Sequence, residues 1–105
     1  MAIKELLKEE LGNSLRMARD YQRELAKLPR GCIVKKRIGR HAYFYVAFRE
    51  KERVRFLYKG RKMDEQELAK YREAKLFRVR YRKLLSDVRQ QIKFLRKALR
   101  AKQTV

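Results

Sequence analysis

The feature that most constrains the fold of this chain is a long apolar stripe with helical spacing in its second half. Apolar side chains recur there mostly at steps of three and four residues, and no Gly or Pro interrupts them. The stripe comprises Leu68, Tyr71, Phe77, Tyr81, Leu84, Val88, Ile92, Leu95 and Leu99. It predicts a helix over residues 64–102 that is about 60 Å long. A small sheet cannot cover such a stripe, so a second helix or a second subunit must pack along it.

The first segment of the chain supplies a second helix. Residues 2–28 place Leu7, Leu11, Ser14, Ala18, Tyr21, Leu25 and Leu28 on one face. Pro29 and Gly31 end this helix, and Asp64 and Glu67 can form a capping box at the start of the long one. We therefore predict an antiparallel helical hairpin. The alternative is a homodimer through the C-terminal helix, because the long helix extends beyond the first.

The middle of the chain has a period of two instead. From Cys32 to Lys59, β-branched and aromatic residues alternate with polar ones, and two short polar breaks, residues 39–41 and 50–52, divide the segment. This pattern predicts a three-stranded antiparallel meander. Together with the two helices it gives an α+β fold, and a chain of this length forms one domain, residues 1–105.

The expected register follows if each break is a three-residue loop. Phe48 then pairs with Val54, Val46 with Phe56, and Phe44 with Tyr58, so that apolar side chains gather on one face. A similar loop at the first break adds Cys32, Val34 and Ile38 to that face and leaves Lys36 as a misfit.

The opposite face of this predicted sheet is basic and aromatic. It would present Lys35, Arg37, Tyr43, Tyr45, Arg49, Arg53, Arg55 and Lys59. Arginine and lysine reach phosphates and guanine edges, and tyrosine stacks on exposed bases or hydrogen-bonds a phosphate. The alternative is an ordinary solvated face whose lysines discourage aggregation. The lack of acids on this face and the presence of tyrosines favour a binding surface.

Charge supports an anionic partner. The chain carries a formal net charge of +19, and this charge is unevenly distributed. Residues 1–28 are nearly neutral, whereas residues 74–102 hold eleven basic side chains and one acid, Asp87. A basic row flanks the apolar stripe, formed by Lys75, Arg78, Arg82, Arg89, Lys93, Arg96 and Arg100 and interrupted at Leu85. Such a row suits a phosphate backbone, although basic residues beside a helical seam also solubilise coiled coils.

Catalysis finds little support in the sequence. His41 is the only histidine and lies in a predicted turn, and the single cysteine, Cys32, has no partner in a CxxC pair. We recognise no glycine-rich phosphate loop and no clustered metal ligands, so we expect a non-enzyme with no cofactor and no metal. The lone cysteine fits a reducing, cytoplasmic location. We expect no membrane partner, because the apolar stripe is better used against the first helix.

Part of the chain resembles a known DNA-binding module. The segments Tyr43-Phe44-Tyr45-Val46 and Arg53-Val54-Arg55, followed by a polar turn and a helix, resemble the three-stranded sheet of phage-type integrase arm domains. In those modules the sheet enters the major groove, which implies a reading face of Lys35, Arg37, Tyr43, Tyr45, Arg53 and Arg55. The resemblance covers residues 33–76, and the two long helices depart from it. The chain also resembles small uncharacterised prokaryotic proteins with a Leu-Pro-Arg-Gly segment, here 28–31, before such a sheet.

These observations predict a small basic nucleic-acid-binding protein. Duplex DNA is the first expectation, with the protein acting as an accessory or regulatory factor. The alternative is an RNA-binding or ribonucleoprotein-associated factor, in which Tyr43 and Tyr45 stack on unpaired bases. A third hypothesis is a basic adaptor or inhibitor that binds an acidic protein surface. The sequence does not separate these three.

Overall fold

The computed structural model describes residues 2–103 and has the predicted order of elements. Helix α1 spans Ile3–Lys27, strands β1, β2 and β3 span Cys32–Ile38, His41–Glu50 and Arg53–Gly60, and helix α2 spans Glu65–Gln103. The prediction of an α+β fold with a helix, a three-stranded antiparallel sheet and a long helix is confirmed. Its boundaries agree with the predicted ones to within one residue.

The contacts divide the chain into two compact units. One unit is formed by α1 and by α2 from Val79 onward, and the other by residues Leu28–Arg78. The first is helical, and the second contains the sheet and the first turns of α2. Whether the chain behaves as the single domain expected from its length stays a prediction.

The helical unit is built on an apolar seam between antiparallel helices. Leu85, Val88 and Ile92 of α2 are buried, and they pack against Leu11, Leu15, Ala18, Tyr21 and Leu25 of α1. The rings of Tyr21 and Tyr81 lie 6.1 Å apart at the end of α1 and the start of this part of α2, so the helices run in opposite directions. The predicted helical hairpin is confirmed. Leu85, which the sequence placed in the basic row, belongs to the core.

The lengths of the two helical segments match in this unit. α1 has 25 residues, and α2 continues from Val79 to Gln103, which is the same length. Leu95 and Leu99 are only 5% and 8% exposed in the single chain. Leu95 and Leu99, which belong to the stripe from which a homodimer was expected, are therefore covered within one chain. Self-association stays a prediction.

Two-residue turns set the geometry of the sheet, whose strand order is β1-β2-β3. Residues 39–40 connect β1 to β2, and residues 51–52 connect β2 to β3. The first residue of each turn has a positive φ, 64° at Gly39 and 57° at Lys51. Short turns of this kind match the right-handed twist of paired strands. Both connections are one residue shorter than the predicted loops, because His41 and Glu50 belong to β2.

The shorter turns make the predicted register wrong by one residue. Val46 pairs with Leu57 and Tyr45 with Tyr58, instead of Val46 with Phe56 and Phe44 with Tyr58. On the other side Val34 pairs with Tyr45 instead of Val46. Since side chains alternate between faces, a shift of one residue moves those of β1 and β3 to the other face relative to β2.

The start of α2 lies against part of one side of the sheet, on which Leu57 of β3 is still 52% exposed. Val46, at 3% exposure, is the most buried side chain described in the three strands. On the same side, Ile33 and Phe44 line a pocket together with Leu68 and Tyr71 of α2. The Asp64 carboxylate accepts a hydrogen bond from the Gln66 amide at 3.4 Å, which confirms the predicted cap.

Two arginine side chains bind backbone carbonyls where the chain enters the sheet. The Arg78 guanidinium donates a hydrogen bond to the Pro29 carbonyl at 2.7 Å, and that of Arg30 donates to the Arg49 carbonyl at 2.6 Å. Gly31 follows with φ of 94°, and a Cβ there would lie 2.6 Å from the Ala47 carbonyl oxygen. Only glycine fits this position without a shift of the neighbouring strand.

We expect Gly31→Ala to lower the free energy of unfolding by about 2 to 4 kcal/mol, because it combines backbone strain with a clash against β2. The matched control is Gly12→Ala in α1, where an added Cβ meets nothing within 4 Å. That variant should be stabilised by up to about 1 kcal/mol. Urea unfolding of both variants provides the measurement, and an unchanged midpoint for Gly31→Ala would contradict the close approach.

Candidate nucleic-acid interface

The side of the sheet opposite the α2 contact is largely exposed and rich in rings. We call it the aromatic face; the alternation of side chains assigns to it Val34, Lys36, Ile38, His41, Tyr43, Tyr45, Ala47, Arg49, Val54, Phe56 and Tyr58. Phe56 and Tyr58 are 50% and 52% exposed, and Ile38 and Val54 are still more exposed. Contiguous apolar surface of this kind marks a binding site more often than a bare solvent face.

Four rings of the aromatic face form a connected cluster. Tyr45 lies 5.3 Å from Tyr58 and 6.5 Å from Phe56 between ring centroids, and Tyr43 lies 6.2 Å from Tyr58. The first of these contacts follows directly from the register, which places Tyr45 opposite Tyr58. The rings are therefore held by neighbouring strands and not by a mobile loop.

Cations lie over these rings. The Lys36 ammonium is 4.4 Å from the Phe56 centroid and 5.2 Å from that of Tyr45, and the Arg61 guanidinium carbon is 5.8 Å from the Tyr43 centroid. Such contacts are attractive because the ring face carries negative charge. No Asp or Glu is among the strand residues assigned to this face. The surface thus combines π faces with positive charge and has no carboxylate to neutralise it.

The observed register divides the sheet residues expected to form one interface. Tyr43, Tyr45 and Arg49 lie on the aromatic face, whereas Lys35, Arg37, Arg53 and Arg55 lie on the side of Val46. The prediction that all of these side chains share a face is wrong, because it assumed loops one residue longer. Whether each of them contacts nucleic acid stays a prediction.

Three predicted contact residues already have partners within the chain. Lys59 pairs with Glu67 of α2 at 3.2 Å, so this glutamate binds a strand residue instead of completing the predicted capping box. Arg55 pairs with Glu50 at 2.9 Å in an exposed salt bridge. Arg78 is half-buried and binds the Pro29 carbonyl. These contacts give Lys59, Arg55 and Arg78 structural roles that the sequence did not reveal.

The basic row continues along α2 in the helical unit. Its members there, Arg82, Arg89, Lys93, Arg96 and Arg100, are exposed, and the last four line a groove with Leu15 and Ala18 of α1. In the part of the chain that the structure describes, no salt bridge uses any of these five side chains. From Arg82 to Arg100 the row extends about 27 Å along the helix axis. Lys75 lies instead in the sheet unit, beside Tyr71 and Phe44.

Sequence reasoning missed several members of the aromatic face. Phe56, Tyr58 and Val34 were assigned to the buried face, and Lys36 was considered a misfit there. In the observed register Lys36 is no misfit, because it lies on the exposed face above Tyr45 and Phe56. The one available signal was that misfit: a lysine among apolar residues indicates that the assumed face is not a core.

Comparison with protein-family models, with curated proteins and with solved structures found no match. Neither described helix is long and apolar enough to span a bilayer. Over residues 2–103, His, Cys, Asp and Glu side chains form no group of three that could hold a metal ion.

A double-mutant cycle tests the register on which the aromatic face depends. Tyr45→Leu and Tyr58→Leu should couple by about 0.5 to 1 kcal/mol in the free energy of unfolding, because their rings are directly opposed. The control cycle, Phe44→Leu with Tyr58→Leu, should be additive to within about 0.5 kcal/mol, since these side chains lie on opposite faces. Coupling confined to the control pair, measured by urea unfolding, would support the three-residue loops instead.

Proposed function

We propose that this protein binds nucleic acid as an accessory or regulatory factor and catalyses no reaction. The observation that carries the proposal is the basic row of α2, five exposed cations that no carboxylate neutralises within the described residues. A net charge of +19 on a small chain produces self-repulsion, and a polyanion relieves it.

The spacing of the row suits a sugar-phosphate backbone. Its length of about 27 Å corresponds to about eight steps of one B-form strand, at one phosphate per 3.4 Å of axis. The cations flank the apolar seam, so their stems rest on a rigid helical pair while their charged ends reach solvent. Contacts of this kind position a nucleic acid without reading its sequence.

The aromatic face, in the sheet unit, is a second candidate binding surface. Phosphate contacts alone explain attachment, whereas rings with exposed π faces offer contacts to bases. The alternative is an acidic protein partner, whose carboxylates would accept hydrogen bonds from the hydroxyls of Tyr43, Tyr45 and Tyr58. Such a partner remains an outcome that a binding screen would detect.

The proposal is tested by the salt dependence of binding to duplex DNA, single-stranded DNA, duplex RNA and hairpin RNA. We expect the logarithm of the association constant to fall linearly with the logarithm of salt concentration, because phosphate contacts release counterions. No binding to any of the four at low salt would overturn the proposal and direct the search to a protein partner.

Arg96→Gln with Arg100→Gln should weaken binding to all four ligands alike. Removing two duplex phosphate contacts should also reduce the steepness of the salt dependence by about 1.8, at about 0.9 per contact. Fluorescence anisotropy across a salt series gives both quantities.

The matched control is Arg19→Gln with Arg23→Gln in α1, which removes the same charge outside the row. We expect this control to lose much less affinity and to keep nearly the original slope. Equal losses from the two double variants would mean that net charge attracts the ligand and that the row is no binding surface.

A further inference from the structure

We infer that the aromatic face binds unpaired bases, so that the protein prefers single-stranded nucleic acid to a duplex. This inference rests on the proposed function and names the form of ligand that its sheet accepts. The observations that lead to it are the ring cluster of Tyr43, Tyr45, Phe56 and Tyr58, its exposure and the cations above it.

The ring cluster is suited to base stacking. Phe56 and Tyr58 expose half of their surface, and neighbouring strands hold the rings, so stacking costs little ordering of the protein. Stacking on aromatic side chains is worth a substantial part of single-strand affinity and tolerates any base, because every base has a π face. In a duplex those faces are covered by neighbouring base pairs, and only base edges remain accessible in the grooves.

The duplex alternative loses three of the arginines that were expected to read base edges. Groove reading relies on arginine, lysine, asparagine or glutamine directed at base edges. Of the sheet arginines expected to do this, Arg37, Arg53 and Arg55 lie on the side of Val46. Lys36, Arg49 and Arg61 remain near the rings. A surface of four connected rings favours stacking over edge recognition.

Lys36 can exchange its contacts with the rings for a contact with a phosphate when a nucleotide binds. In the free protein its ammonium lies over Phe56 and Tyr45, where a base would stack. A nucleotide that places its base on these rings brings a phosphate with it, and the flexible lysine stem allows the ammonium to move onto that phosphate. The cation thereby keeps an anionic or π partner in both states.

A second copy of this chain is a poorer occupant of the same surface. Pairing two aromatic faces would bring Lys36, Arg49 and Arg61 towards their own copies with no carboxylate on either face. Buried like charges without partners cost free energy. A nucleic-acid strand covers the rings and supplies the missing negative charge together.

The test compares three fluorescent ligands on the full chain, of which the two single-stranded ones have equal phosphate number. They are an oligothymidylate of about twelve nucleotides, an abasic deoxyribose-phosphate oligomer of that length, and a short duplex. The abasic ligand keeps the phosphates and removes the bases, so it separates stacking from charge. We expect the oligothymidylate to bind about tenfold or more tightly than the abasic oligomer and more tightly than the duplex.

Substitutions on the aromatic face test whether its rings cause the preference for the oligothymidylate over the abasic ligand. Tyr45→Leu and Phe56→Leu should reduce the difference between oligothymidylate and abasic ligand while leaving abasic binding unchanged. Tyr45→Phe should retain it, because the ring is kept. The matched control is Phe94→Leu, which removes a 67% exposed ring of α2 that lies outside the sheet and should change neither affinity. If a leucine variant does not fold, the unaltered protein can be tested with an oligothymidylate that contains 2-aminopurine. Quenching of the 2-aminopurine fluorescence on binding would report the same stacking.

Each outcome has a distinct meaning. Equal affinity for the oligothymidylate and the abasic oligomer, or tighter binding of the duplex, would overturn this inference and leave the proposed function standing. Failure to bind any of the three, together with failure to bind duplex RNA and hairpin RNA at low salt, would remove the proposed function as well. A homodimer in sedimentation that Tyr45→Leu dissociates, without a preference for bases, would assign the face to a second copy and also overturn the inference.

Discussion

A two-residue turn at each end of β2 is the constraint on which the candidate site depends. Strand side chains alternate between faces, so the length of a turn decides which residues of adjacent strands share a face. With turns at residues 39–40 and 51–52, Tyr45 stands opposite Tyr58 and beside Val34. One additional residue in each turn would have put Phe56 and Tyr58 on the side of Val46, and Arg53 and Arg55 on the side of Tyr45.

The two units bury their apolar residues in different ways. The helical unit concentrates its core in one seam of leucine, valine and isoleucine between α1 and α2. The sheet unit covers only one side, where Val46 is buried and the start of α2 lines a pocket with Ile33 and Phe44. A three-stranded sheet with one covered side leaves its other side to solvent. Here that exposed side carries aromatic rings instead of the polar residues that solubility alone would favour.

The basic residues have four different environments, although they look alike in the sequence. Arg78 donates a hydrogen bond to the Pro29 carbonyl before β1, Arg30 donates one to the Arg49 carbonyl of β2, and Lys59 is paired with Glu67. Lys36 and Arg61 lie over rings. The row on α2 from Arg82 to Arg100 has no carboxylate partner within the described residues. The proposed binding surfaces are the row on α2, in the helical unit, and the aromatic face, in the sheet unit.

The sequence by itself determined the order of elements, their boundaries, the helical hairpin and the existence of a basic row. Period, capping residues and Pro or Gly at element ends are local signals, and each acts within a few residues. The sequence did not determine which sheet residues share a face, or that Leu85 lies in the core and Arg78 on a carbonyl. Those depend on turn length and on partners distant along the chain, such as Pro29 for Arg78. Tertiary structure alone decided them, because a shift of one residue in the register preserves every local preference and reverses the faces of the outer strands.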